Sequence, residues 1–171
     1  NPLPIIWEAQ KAGKEILGEG AQGILLDIDL GTYPYVTSSH PGVTGFSIAT
    51  GLQQNDINRV IGVTKAYQTR VGEGPMPTEL LGEVGDKLRE LGNEYGATTG
   101  RPRRCGWLDL PSLRYSLQVG GVNSIALTKI DVLDGMDEIK ICTHYEHNGK
   151  KYDTLPTADA AFMAEAKAIY E

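Results

Sequence analysis

Cysteine is scarce in this chain. Cys105 and Cys142 are the only two, they lie far apart without metal-ligand spacing, and two thiols make no disulfide framework. A reducing, cytoplasmic compartment suits such usage. No apolar run approaches the ~20 residues of a membrane span. No basic-then-apolar leader opens the sequence, so neither membrane insertion nor secretion is expected. Positive charge is also short, with 16 Lys and Arg against 22 Asp and Glu and a net charge of −6. That balance argues against broad binding to nucleic acid or membrane, and any bound anion should be small and met by a local cluster. Repeats, low-complexity tracts and disordered composition are lacking as well.

What is present is 171 residues with 40% hydrophobic content, enough for one domain with a sizeable core over 1–171. The chain begins at Asn1 rather than methionine and stops at Tyr170-Glu171 just after a helical pattern, which reads as an excerpt of something longer. Its 21 glycines fall beside polar residues, a distribution that suits ligand-cradling loops on a rigid scaffold.

The pattern predicts a helix over Pro4–Lys14, a short strand at Glu15–Leu17 and a closely packed helix or loop over Val43–Leu52. Arg59–Tyr67 reads as a buried strand. Thr78 is the expected cap of an amphipathic helix with Leu80, Leu81, Val84, Leu88 and Leu91 as its stripe. Asp109 or Leu110 should cap a helix whose inner face is Leu110, Leu113 and Leu117 and whose end is Gly120-Gly121. Ser124–Thr128 is a strand, Glu138–Tyr145 alternates, and Asn148-Gly149 signals a two-residue hairpin. A last helix is expected from Thr157 through Ile169. The implied class is α/β, a largely parallel sheet with flanking helices plus an antiparallel hairpin.

Chemistry concentrates in loops. Gly96 to Trp107 holds Arg101, Arg103 and Arg104 with Thr98 and Thr99, either an anion-binding loop or a solvated basic turn. Gln22, in Glu19-Gly20-Ala21-Gln22-Gly23, can read the edge of a base, or belong to an ordinary surface loop. Thr37-Ser38-Ser39 before Pro41-Gly42 could hold phosphate or cap the next helix. His40 beside them is a candidate base or a surface residue. Thr128-Lys129-Ile130-Asp131 has the form of a guanine-reading tetrad, since a carboxylate can accept from both the ring N–H and the exocyclic amine of guanine. The competing reading is a salt pair at a strand end.

Taken in order, Glu19–Gly23, Asp27-Ile28-Asp29, Gly31–Pro34, Val36–Ser39, Thr69-Arg70-Val71-Gly72, Gly74-Pro75, Gly96–Arg101 and Thr128–Gly135 form a series that resembles adenylosuccinate synthetase over nearly the whole chain. The resemblance implies part of a larger P-loop-NTPase-like fold and a GTP-dependent carbon–nitrogen ligase. In that reaction GTP phosphorylates the 6-oxygen of IMP and L-aspartate then displaces the phosphate. By similarity, Gln22, Thr37, Val71 and Arg101 would contact IMP. Ala97, Thr98, Thr99, Gly100, Arg101, Pro102 and Arg103 would hold L-aspartate, and Arg103, Lys129, Ile130 and Asp131 would meet GTP. Arg101 and Arg103 would also support the transferring phosphoryl group.

The family's G-D-E-G-K-G-K loop, with its catalytic aspartate and lysine, and the catalytic histidine beyond it do not occur here, nor does its C-terminal part. The resemblance therefore implies no catalytic residue and no metal ligand in this chain, with Mg2+ and a homodimer belonging to the full enzyme. The chain alone is expected to be inactive, with a non-catalytic purine-nucleotide-binding module as the alternative and a structural fragment with disordered sites as a third reading. Gly96–Arg104 is expected to be ordered by its ligands. Gly18 and Leu30 depart from the bulky apolar residue and the histidine or aromatic usual in the family.

Overall fold

The computed structural model describes residues 2–171; Asn1, the first residue of the expected domain, lies outside them. Helix α1 (Leu3–Lys11) carries Pro4 in its first turn, where a missing N–H interrupts no intrahelical bond. Glu15–Leu17 is not a strand: no neighbouring strand offers it a ladder among the described residues, and Leu17 is 93% exposed. A short 3-10 turn follows at Ile24–Leu26. Helix α2 (Val43–Thr50) resolves the helix-or-loop alternative. Its small residues have a packing reason, for a Cβ on Gly45 would meet the His40 carbonyl oxygen at 1.9 Å. Gly18 is explained in the same way, because the Phe46 ring fills the space a larger residue would take, 2.2 Å from an added Cβ.

The expected single buried strand is two. Strand β1 (Ile61–Lys65) pairs in parallel with β4 (Ser124–Thr128), from Ile61 opposite Ser124 to Lys65 opposite Thr128. Strand β2 (Tyr67–Arg70) begins after Ala66 and pairs antiparallel with β3 (Arg104–Asp109) in a separate five-stranded sheet. Strand β1 is not buried either. Among the described residues β4 is its only partner, and Val63 is 75% exposed.

Helix α3 (Glu83–Leu91) starts at Gly82, not Thr78. The segment from Thr78 is drawn onto the edge of β3 instead, where the Trp107 amide donates to the Thr78 carbonyl (3.2 Å) and the Leu80 amide to the Cys105 carbonyl (2.9 Å). Long-range pairing has overridden a local cap signal. Of the expected stripe, Leu88 is fully buried and Leu80 packs on the core, while Leu81, Val84 and Leu91 are exposed.

Asp109 caps helix α4 (Leu110–Val119) as expected, accepting from the Ser112 amide at 3.0 Å. The buried residues of α4 are Pro111 and Ser112; Leu110, Leu113 and Leu117 are only half-buried. A second 3-10 turn, Ile130–Gly135, buries Val132 and Leu133. Strands β5 (Ile141–His147) and β6 (Lys150–Tyr152) form the hairpin, with Asn148 and Gly149 at φ of 49° and 71°, the two left-handed positions such a turn requires.

The last helix is shorter than expected. Helix α5 (Ala160–Glu165) ends at Ala166, and Lys167–Tyr170 becomes β7, antiparallel to β5. Pairing along β5 offered more than another helical turn. Strands β3 and β5 run parallel at Leu108–Ile141 and Asp109–Cys142. The fold is thus the expected α/β class, with parallel pairing, helices and an antiparallel hairpin, to which β2–β3 and β5–β7 add antiparallel pairs.

One apolar cluster centres on Tyr67, Leu88, Cys105 and Trp107, another on Cys142, Tyr145, Leu155 and Met163, and Tyr170 packs against both. Gly106 lets the segment at Thr78 close onto β3, since an added Cβ would meet the Thr78 carbonyl oxygen at 2.2 Å. Gly106→Ala is therefore expected to destabilise the fold by about 2 kcal/mol, read as a lower urea midpoint with unchanged slope.

Candidate functional site

A cleft of about 1360 Å3 is lined by residues from the 14–26 segment, β1, β2 and α4, and Gln22, Lys65, Thr69, Val71 and Arg103 are among its lining. It gathers three of the residues singled out from the sequence: Gln22, Val71 and Arg103. A smaller cleft of about 480 Å3, lined by Tyr33, Tyr115 and the start of α5, holds none of them.

Gln22 sits at φ 66°, a left-handed conformation that costs a non-glycine residue about 1 kcal/mol. Its side-chain carbonyl accepts from the Ser39 hydroxyl at 3.1 Å, and the Ser39 and Thr37 hydroxyls lie 2.8 Å apart. Thr37 also donates to the Leu26 carbonyl at 3.0 Å. These hydroxyls do not cap α2, which starts at Gly42 without a side-chain cap, so the capping alternative is excluded.

His40 is fixed through Nδ1, 3.2 Å from Asp27, and lines neither cleft. Burial raises the Asp27 carboxyl, but the Asp29 and Leu30 amides and His40 outweigh it and hold it below its usual range. Ligand atoms of Asp27, Asp29 and His40 lie within 4.8 Å of one another, a group able to hold a metal ion among the described residues.

The three arginines of the glycine-rich stretch part company. Arg101 is exposed and its side chain makes no hydrogen bond among the described residues, on a loop closed by Gly96 N–H to the Arg101 carbonyl (2.9 Å) and Gly100 N–H to the Gly96 carbonyl (2.8 Å). Ala97, Thr98, Thr99, Gly100 and Pro102 share that exposed loop. Arg103 donates to Glu94 at 2.7 Å. Arg104 is structural. It donates to Glu79 (2.7 Å) and the Gly74 carbonyl (2.8 Å), while Arg70 reaches the Glu73 carbonyl (2.9 Å) and the Thr32 hydroxyl (3.0 Å). Together they fasten the loop that presents Val71, which is 65% exposed.

Lys129 and Asp131 stand just past the end of β4. Lys129 has φ 56°, and its ammonium donates to the Gly92 carbonyl and lies 3.4 Å from Glu94. Its ion pair at the strand end is with Glu94 rather than Asp131. Asp131 and Ile130 are exposed, and the Asp131 carboxylate accepts no hydrogen bond among the described residues.

Glu94, which the sequence reading passed over, is 0% exposed. It accepts from Lys65 (2.7 Å), Tyr67 (2.6 Å) and Arg103 (2.7 Å). Burial raises its carboxyl, but the Lys65, Tyr67 and Arg103 donors outweigh that and hold it at about 2. Burial, together with Arg103 and Lys129, keeps Lys65 below its usual value despite Glu94. One carboxylate thus serves three cations. The only local hint was an acidic residue placed directly after the Gly92-Asn93 helix end.

Comparison with known proteins identifies the family. The sequence model of the family described as Adenylosuccinate synthetase matches residues 2–171. A relative of that description in Caldicellulosiruptor bescii is 54% identical over 171 residues, 100% of this chain and 40% of that one. Another in Salinibacter ruber is 59% identical over 145 residues, 85% of this chain and 33% of its own. A solved structure of fully ligated adenylosuccinate synthetase from Plasmodium falciparum superposes with a TM-score of 0.94 at 43% identity, covering 99% of this chain and 41% of that chain. The chain spans about 40% of the length of the curated relatives it matches.

The Glu94 cluster sets a pH dependence. Its folded value of about 2 lies below the ordinary 4.5, so its contribution to stability is complete above about pH 4.5 and is lost as pH falls toward 2. Glu94→Gln should cost roughly 3 kcal/mol at pH 7 and about 2 kcal/mol less than that at pH 3, measured by urea unfolding at both values.

Proposed function

The chain belongs to the adenylosuccinate synthetase family, and on that premise we propose that it carries the part of a GTP-dependent ligase that meets IMP, L-aspartate and guanine. The observation that carries the proposal is the shared cleft: Gln22, held by the Ser39 hydroxyl, lines it together with Val71 and Arg103. An amide that both donates and accepts is suited to a hypoxanthine edge. The Thr37–Ser39 hydroxyls and Arg101 supply donors for the IMP phosphate and for the carboxylates of L-aspartate, with Thr98 and Thr99 at the same loop. Lys129 lays its stem along guanine while the open Asp131 carboxylate accepts from the ring N–H and exocyclic amine.

In the proposed reaction the γ-phosphoryl group of GTP passes to the IMP 6-oxygen, leaving GDP. The L-aspartate amine then attacks C6, the C–O bond breaks, and phosphate leaves with the electron pair as the amine loses a proton. Arg101 and Arg103 offset charge on the transferring group.

A nucleotide-dependent ligase implies a metal, and Mg2+ asks for an all-oxygen shell. Asp27, Asp29 and His40 do not fit that demand, because imidazole enters the set, and no step is assigned to a metal here. The apolar residues exposed on β1 and β4, Ile61, Val63, Ile125 and Leu127, support association with further protein surface, a homodimer included. No helix among the described residues is long and apolar enough to cross a membrane, and both cysteines are free and buried, which supports a cytoplasmic setting.

A second reading, a nucleotide-binding module without chemistry, rests on the same cleft in a chain that spans about 40% of the length of its curated relatives. The expected outcome is binding without turnover: IMP and GDP give heats in calorimetry, while no adenylosuccinate forms from IMP, GTP and L-aspartate. Asp131→Ala should weaken GDP about tenfold or more and leave ADP unchanged. Equal loss for both nucleotides would remove Asp131 from base reading. Slowed amide exchange across Gly96–Arg104 on adding ligands would mark that loop as ligand-ordered.

A further inference from the structure

Glu94 touches neither cleft, yet two of its partners, Arg103 and Lys129, are residues proposed above to meet ligands. Its backbone and side chain both hold Arg103: the Arg103 amide donates to the Glu94 carbonyl at 2.9 Å, and the guanidinium to Oε2 at 2.7 Å. Residues 94 and 103 are therefore the stem of the exposed Gly96–Pro102 loop, just outside the Tyr95–Pro102 bridge. Lys129 arrives from the other direction, turned back by its left-handed backbone so that its ammonium reaches the Gly92 carbonyl and lies 3.4 Å from Oε1. Oε1 is already engaged by Lys65 and Tyr67. The carboxylate is wholly buried, whereas the Arg103 and Lys129 side chains remain 30% and 38% exposed. Each cation can turn toward an anion, and when one does, the carboxylate's hold on the other tightens.

We propose that Glu94 is a positioning residue that ties the arginine of the L-aspartate loop to the lysine of the guanine-reading segment, so that filling either site alters affinity at the other. The identity of the two ligands rests on the reading under Proposed function; the tie rests on geometry alone. Linkage makes the effect reciprocal, and couplings of this kind are typically about 5-fold or more.

The test titrates GDP into the 171-residue chain with and without saturating IMP and L-aspartate. Wild type should show a GDP dissociation constant changed about 5-fold or more by the second pair of ligands. Glu94→Gln should bring that ratio to one and Glu94→Asp should retain it. A purely structural role would weaken both ligands and leave the ratio intact, which overturns the proposal, as does a wild-type ratio of one. A measurement free of ligand accompanies it: the Arg103 Nε resonance should shift in Lys129→Met, although the two side chains do not bond to each other. No shift breaks the tie. If wild type binds neither GDP nor L-aspartate, the reading under Proposed function fails for this chain, and the resonance still decides whether Glu94 links the two cations.

Discussion

A carboxylate removed from water must be met by donors on every side or it will not stay ionised. Glu94 satisfies that constraint by drawing partners from four places: Lys65 at the end of β1, Tyr67 at the start of β2, Arg103 before β3 and Lys129 after β4. Strands β1 and β4 form one sheet and β2 and β3 belong to the other, so a single side chain knots the two sheets at their junction. Asp109 repeats the arrangement on the far end of β3. It caps α4 through the Ser112 amide and accepts from the Tyr145 hydroxyl of β5, with burial raising its carboxyl against those bonds. Strand β3 is thus fixed at both ends by buried acids, and the apolar clusters pack on either side of it.

How much of this was legible in the sequence follows from the range of the interaction concerned. Asp109 as a cap, Gly120-Gly121 as a stop and Asn148-Gly149 as a turn depend on neighbours within a few residues, and each is found where expected. Thr78 has the same local credentials and fails, because the edge of β3, near in space and distant in sequence, claims its segment. Ile169 fails for the same reason, taken into β7 by β5. Gln22 and Val71, which line the cleft, stand out from the order of short motifs. The structural roles of Arg70, Arg104 and Glu94 do not, since they are decided by burial and by partners that the chain brings together only on folding.

The sheet of β1 and β4 has two strands and leaves apolar side chains in the open. A strand patterned Ile-Gly-Val-Thr-Lys, with Val63 largely open to solvent, is written for a neighbour on that face. The chain spans about 40% of the length of its curated relatives, and on this pair of strands the apolar pattern and the open environment disagree.

Gln22 and Lys129, both assigned here to ligands, share one backbone peculiarity: each is a non-glycine residue held at positive φ. Glycine or asparagine would occupy those positions with less strain. Their side chains are tied as well: the Gln22 carbonyl accepts from the Ser39 hydroxyl and the Lys129 ammonium donates to the Gly92 carbonyl, so a glycine there would relax the backbone and forfeit the tie. A selection for thermal endurance alone would weigh, at each of the two positions, a relaxed backbone against a lost tie.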